Sequence, residues 1–88
     1  MGTNEVIRFF EDKRVVLTTR LLDGGEDLLI EGSPASLMML SKLIEAVAIH
    51  ERFGKFHMSP HGAGCSHFSK DAKFGLYIHR VDEADGTD

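Results

Sequence analysis

The segment GSPASLMMLSKLIEAVAIHERFG, residues 32–54, limits what this chain can fold into more than any other. Ser33 suits the N-cap of a helix, because its hydroxyl accepts a bond from an otherwise orphaned backbone N–H. Pro34 at the next position gives up a donor that the first turn does not need, and Gly54 suits the end. Between them Leu37, Leu40, Ile44, Val47 and Ala48 recur at helical spacing, and Met38, Met39, Leu43 and Ile49 widen the stripe. The pattern predicts one long helix with a core-facing side; the alternative is that its Met38 and Leu43 side also feeds a partner surface.

The segments around this helix favour strands. EVIRFF and VVLTTRLL are rich in β-branched and aromatic residues, are separated by EDKR, and read as a hairpin. An Asp-Gly turn signal in DGGED then leads to a third strand, DLLIEG. Beyond the helix, KFHMS reads as a short fourth strand and FGLYIHRV as a fifth, with Leu76 and Ile78 alternating against Tyr77 and His79. The expected architecture is α+β in two layers. An antiparallel-rich sheet of about five strands, in the order βββαββ, carries the helix on one face. Residues 1–81 would form one domain, since 88 residues leave no room for a second core, and 82–88 a frayed acidic tail.

Charge and cysteine usage narrow the function classes. Of fourteen acidic side chains four lie in the terminal DEADGTD, which leaves ten acids against ten Lys and Arg in the rest of the chain. A neutral body without a basic stripe lacks the electrostatic attraction that dominates nucleic-acid binding, so no nucleic-acid partner is expected. The single Cys65 rules out an internal disulfide and fits a reducing, cytoplasmic setting. MGTNEVIRFF has neither the basic and apolar regions of a secretory signal nor a Ser or Thr where a myristoylation motif needs one. No apolar run approaches the roughly 20 residues that cross a bilayer, so no membrane partner is expected either.

FHMSPHGAGCSH, residues 56–67, holds three of the five histidines and the only cysteine. Imidazole and thiolate are the ligands that tetrahedral zinc takes. Strand alternation puts His57 on the face away from the helix, together with Tyr77 and His79. Antiparallel pairing of the two strands would bring His57 and His79 close, with the loop folding Cys65 and His67 over them. The plain reading is a polar solvent-facing loop that binds no metal, and His57, Cys65, His67 and His79 are the candidate ligands of the alternative, a zinc site. Cys65 with His61 or His67 would offer a thiolate and a base, but no third group announces itself, and no cofactor motif accompanies GAG. His50, at the end of the helix, would complement its dipole.

Three stretches, LLIEGSPASLMMLSKLIEAVA, KFHMS and FSKDAKFGLYIHRVD, run from a strand ending in Glu-Gly through a Leu-rich helix and a His-bearing segment to a closing aliphatic strand. Over residues 28–82 this arrangement resembles a family of small bacterial proteins predicted to be immunity proteins of polymorphic toxin systems. The His61, Cys65 and His67 group lies outside that pattern. The resemblance implies a cytosolic, cofactor-free protein that binds a toxin stoichiometrically and performs no catalysis. Acidic residues that would face a basic toxin are Glu26, Asp27, Glu31, Asp82, Glu83 and Asp85. A zinc-binding or sensing module is the alternative function. A homodimeric structural adaptor, using the helix flank and a sheet edge, is a further one.

Overall fold

The computed structural model describes residues 1–82. It is an α+β fold with two helices and four strands, in the order α1 (Thr3–Phe10), β1 (Leu17–Leu21), β2 (Leu28–Gly32), α2 (Pro34–Ile49), β3 (Lys55–Met58), a 3-10 turn (Cys65–His67) and β4 (Leu76–His79). The strands form two antiparallel pairs, β1 with β2 and β3 with β4, in place of the expected five-stranded sheet. No helix among the described residues is long and apolar enough to cross a membrane.

The first expected strand is a helix. Within EVIRFF the buried residues are Val6 and Phe10, with Thr3 just before them and Ile7 partly buried, a spacing of three and four that belongs to a helix face. Two carboxylates supply the acceptors that its first N–H groups need. Glu5 Oε1 accepts from Gly2 N at 2.9 Å, and Glu51 Oε2, 48 residues away, accepts from Thr3 N at 2.9 Å. The β-branched and aromatic content of the segment is thus overridden by an end contact that only the tertiary fold supplies.

α2 begins as expected. Ser33 Oγ accepts from Ser36 N at 3.1 Å, and Pro34 opens the first turn. Its buried face, however, is Ser36, Met39, Leu43, Ala46 and Val47. Of the expected stripe Met39, Leu43 and Val47 are buried and Leu40 is partly so, whereas Leu37, Met38, Ile44, Ala48 and Ile49 are exposed. Met38 and Leu43 therefore part company, the first pointing outward and the second fully into the core. An apolar helix this rich in Leu, Ile and Met contains two stripes at helical spacing, and the one that is buried is decided by what packs against it.

What packs against it is everything else. Val6 and Phe10 of α1, Val15, Leu17 of β1, Met58 of β3, Phe68 and Ala72 join Met39, Leu43 and Ala46 in one core. The core also ties the two sheets together. The outer edge of β1 is covered by the 68–74 segment through a parallel bridge from Leu17 to Phe68 and bonds from Ser69 N to Leu17 O and from Lys73 N to Thr19 O. Buried Thr19 satisfies both polar groups of Phe74, its hydroxyl donating to the carbonyl at 2.6 Å and accepting from the N–H at 3.1 Å. Ser36 ties α2 to β1 by accepting from Val16 N at 2.9 Å. That approach needs Gly32, since a Cβ there would lie 2.8 Å from the Cβ of Ser36.

The C-terminal end of α2 is closed by Arg80, which donates from Nη1 to the carbonyls of Val47 and Glu51, both at 3.0 Å. The Val47 carbonyl is a helix-end acceptor without a partner inside the helix, the Glu51 carbonyl just beyond the helix also accepts from Gly54 N at 3.1 Å, and the guanidinium places its charge where the helix dipole favours a cation. His50, expected in that role, is the exposed C-cap residue.

Two consequences are measurable by urea denaturation. Leu43→Ala should cost about 2–5 kcal/mol, whereas Ile44→Ala, one residue further on the outer face, should cost about 1 kcal/mol or less. Arg80→Met should cost about 1–3 kcal/mol, because it leaves the Val47 carbonyl at the end of α2 without its donor.

Candidate functional site

The histidine and cysteine loop is a compact turn packed over β3. Ser59 N donates to Ala63 O at 2.7 Å, Gly62 N to Ser59 O at 3.2 Å and Cys65 N to Gly62 O at 3.1 Å, so the chain reverses within a few residues. Gly64 makes the reversal close. Its φ is +73°, and a Cβ would sit 2.8 Å from the Cβ of Met58, a core residue directly beneath it. The 3-10 turn that follows drives His67 inward.

The four candidate zinc ligands do not meet. Alternation along the strands is as expected, with Met58 buried, Phe56, Leu76 and Ile78 half-buried, and His57, Tyr77 and His79 exposed on the other face. The register, however, sets His57 opposite Tyr77 and His79 opposite Lys55. His57 and Tyr77 face each other with ring centroids 5.7 Å apart. An ammonium group is the cross-strand neighbour of His79, which is unfavourable for a second cation there. Cys65 is exposed, and His67 is buried with Nδ1 3.4 Å from the carbonyl oxygen of Val15. Among the described residues no three His, Cys, Asp or Glu side chains are grouped as metal ligands. The same orientation turns His67 Nδ1 away from a pairing with the Cys65 thiol, and His61 is exposed with its backbone N–H on Ser59 Oγ.

What the loop does form is one wall of an open cleft of about 300 Å³, lined by Ile7 and Glu11 of the α1 end, Phe56, His57 and Met58 of β3, and Ala63, Gly64, Ser66 and His67. Most of this lining is apolar. Its polar groups are Glu11, the cap of α1, with His57, Ser66 and the edge of His67. Ile7 comes from the segment expected to be a strand and Glu11 from the turn expected after it, so this wall of the cleft exists because residues 3–10 form a helix.

A second surface lies at the far end of the β1–β2 hairpin, where residues 20–28 are all exposed. The turn is well closed, with Leu22 N donating to Asp27 O and Gly25 N to Leu22 O, both at 2.9 Å. Leu17, Thr19 and Leu21 share a face with Gly32, Ile30 and Leu28 through the register. The first two are buried, but Leu21 and Leu28 continue the same face beyond the core, 47% and 50% exposed, with Leu22 beside them at 38%. Asp23, Glu26 and Asp27 stand on the turn around these leucines.

The candidate acidic residues are thus divided. Glu26 and Asp27 are at the hairpin tip. Glu31 is exposed on the opposite face of β2, across from Thr18. Asp82 is engaged by Arg80, whose Nε lies 2.9 Å from Oδ1. Glu83 and Asp85 lie outside the described residues, as does most of the 82–88 tail. The leucines of the tip carried a readable signal in the sequence, since Leu21-Leu22 and Leu28 flank an acidic Asp-Gly-Gly turn.

No family model matches the chain, and neither a curated protein nor a solved structure matches it.

Substitutions at two consecutive positions of the loop should behave differently. Gly64→Ala should destabilise by at least about 1–2 kcal/mol, from the left-handed backbone and the contact with Met58. Cys65→Ser at the exposed next position should leave the thermal midpoint unchanged, with or without a chelator.

Proposed function

We propose that this chain is a non-enzymatic protein-binding module that docks through the tip of the β1–β2 hairpin, and that its partner is a basic-surfaced toxin of the kind the immunity-protein resemblance implies. The observation that carries this reading is the hairpin tip, where three exposed leucines are rimmed by Asp23, Glu26 and Asp27. An apolar centre contributes affinity when buried, and an acidic rim speeds encounter with a basic surface and rejects acidic ones. The tip stands clear of the core, so a partner reaches it without rearranging the fold. The order β2, α2, β3, β4 is also the order of elements on which the resemblance over residues 28–82 rests.

A homodimeric adaptor is the second reading, favoured by the outer face of α2, where Leu37, Met38, Ile44 and Ile49 are exposed. Light scattering on the purified chain separates the two, because the first requires a monomer that pairs with a different protein.

The direct test is co-expression of the chain with the product of each reading frame flanking its gene. Growth should be restored against one toxic product, and the pair should purify as a one-to-one complex. Leu21→Ser combined with Leu28→Ser should weaken that complex on the order of a hundredfold without lowering the thermal midpoint of the free chain. Glu26→Lys with Asp27→Lys should mainly slow association and reduce its salt dependence. Failure of every flanking product to be neutralised or bound would remove the toxin reading.

A further inference from the structure

We infer that the cleft between the end of α1 and the 59–67 loop binds a protonated primary amine carried on an apolar stem. The inference is independent of the hairpin tip and starts from His67. Its side chain is 7% exposed, and Nδ1 lies 3.4 Å from the Val15 carbonyl oxygen. A carbonyl only accepts, so this contact suits the tautomer with the proton on Nδ1, in which Nε2 is an acceptor. No buried side-chain nitrogen among the described residues lacks a partner, so Nε2, for which no partner is found, retains contact with solvent. His67 is one of the residues that line the cleft.

The remaining lining agrees in sign. Glu11, which also lines the cleft, brings a carboxylate that has no ion-pair partner among the described residues. Two acceptors, one of them negative, select a donor with positive charge and disfavour a carboxylate or phosphate. Ile7, Phe56, Met58 and Ala63 supply apolar walls for the stem. At the roughly 30 Å³ that a small heavy-atom group takes in a liquid, the space suits a body of roughly ten non-hydrogen atoms, near the small end of ligand pockets. Such an amine has two sources, a free small molecule or the lysine side chain of another protein.

Amide proton and nitrogen chemical shifts of the intact chain, followed during titration, provide the test. 2-Phenylethylamine, as the free-amine probe, should shift the amides of Ile7, Glu11, Ala63, Gly64 and His67 in a saturable manner. N-acetyl-lysine methylamide is the second arm. Saturation by the free amine alone assigns the site to small molecules, and saturation by the lysine amide assigns it to a partner's side chain. Glu11→Gln, an exposed change that leaves the core intact, should weaken binding about fivefold to tenfold, and Ala63→Phe should abolish it by filling the space. Saturable shifts of equal affinity with 2-phenylethanol or 3-phenylpropionate would overturn the recognition of charge. The absence of saturable shifts with both amines would overturn the site.

Discussion

Neither of the two hairpins in this protein could persist by itself, because an isolated two-stranded sheet is marginal in water. Both depend on the inner face of α2, where Met39, Leu43, Ala46 and Val47 are buried, and on Leu17, which is buried completely beneath them. Leu17 is also where the two halves of the chain are joined, since its strand pairs with β2 on one side and with the 68–74 segment on the other. Removing apolar contact from this one core withdraws support from every element at once. Among the described residues no second core exists to hold either hairpin, which is why a few kilocalories per mole decide whether the fold forms.

Long-range contacts of polar groups complete the frame that the core begins. Glu51 caps the start of α1, Arg80 closes the end of α2, and Thr19 bonds both polar groups of Phe74. Each links residues that are far apart in sequence and satisfies a backbone group that would otherwise be left without a partner. The cleft and the hairpin tip are by-products of this arrangement in different ways. The cleft is enclosed by elements the frame holds in place, whereas the tip is the part of a hairpin that extends beyond it.

The elements with a local cause were legible in the sequence. Ser33-Pro34 marks the start of α2, the Asp-Gly-Gly turn marks the β1–β2 hairpin, and strict alternation assigns the faces of β3 and β4. The α+β class follows from these. The N-terminal segment was not legible as a helix, because its composition favours a strand and one of its two N-terminal acceptors comes from Glu51. The register places the candidate zinc ligands differently from the expectation. Alternation correctly set His57 and His79 on one face, but pairing opposes them to Tyr77 and Lys55, and the tight reversal at Gly64 sends His67 into the core instead of over the strands.

The sequence by itself determined where α2 begins, where the β1–β2 chain turns and which residues of each C-terminal strand point the same way, because capping, turn conformation and alternation act over a few residues. Only the tertiary structure decided which stripe of α2 is buried, that residues 3–10 form a helix, and that His67 lines a cleft with Glu11. Those outcomes depend on contacts between residues tens of positions apart, and an apolar helix with two usable faces carries no local mark of which one its neighbours will cover.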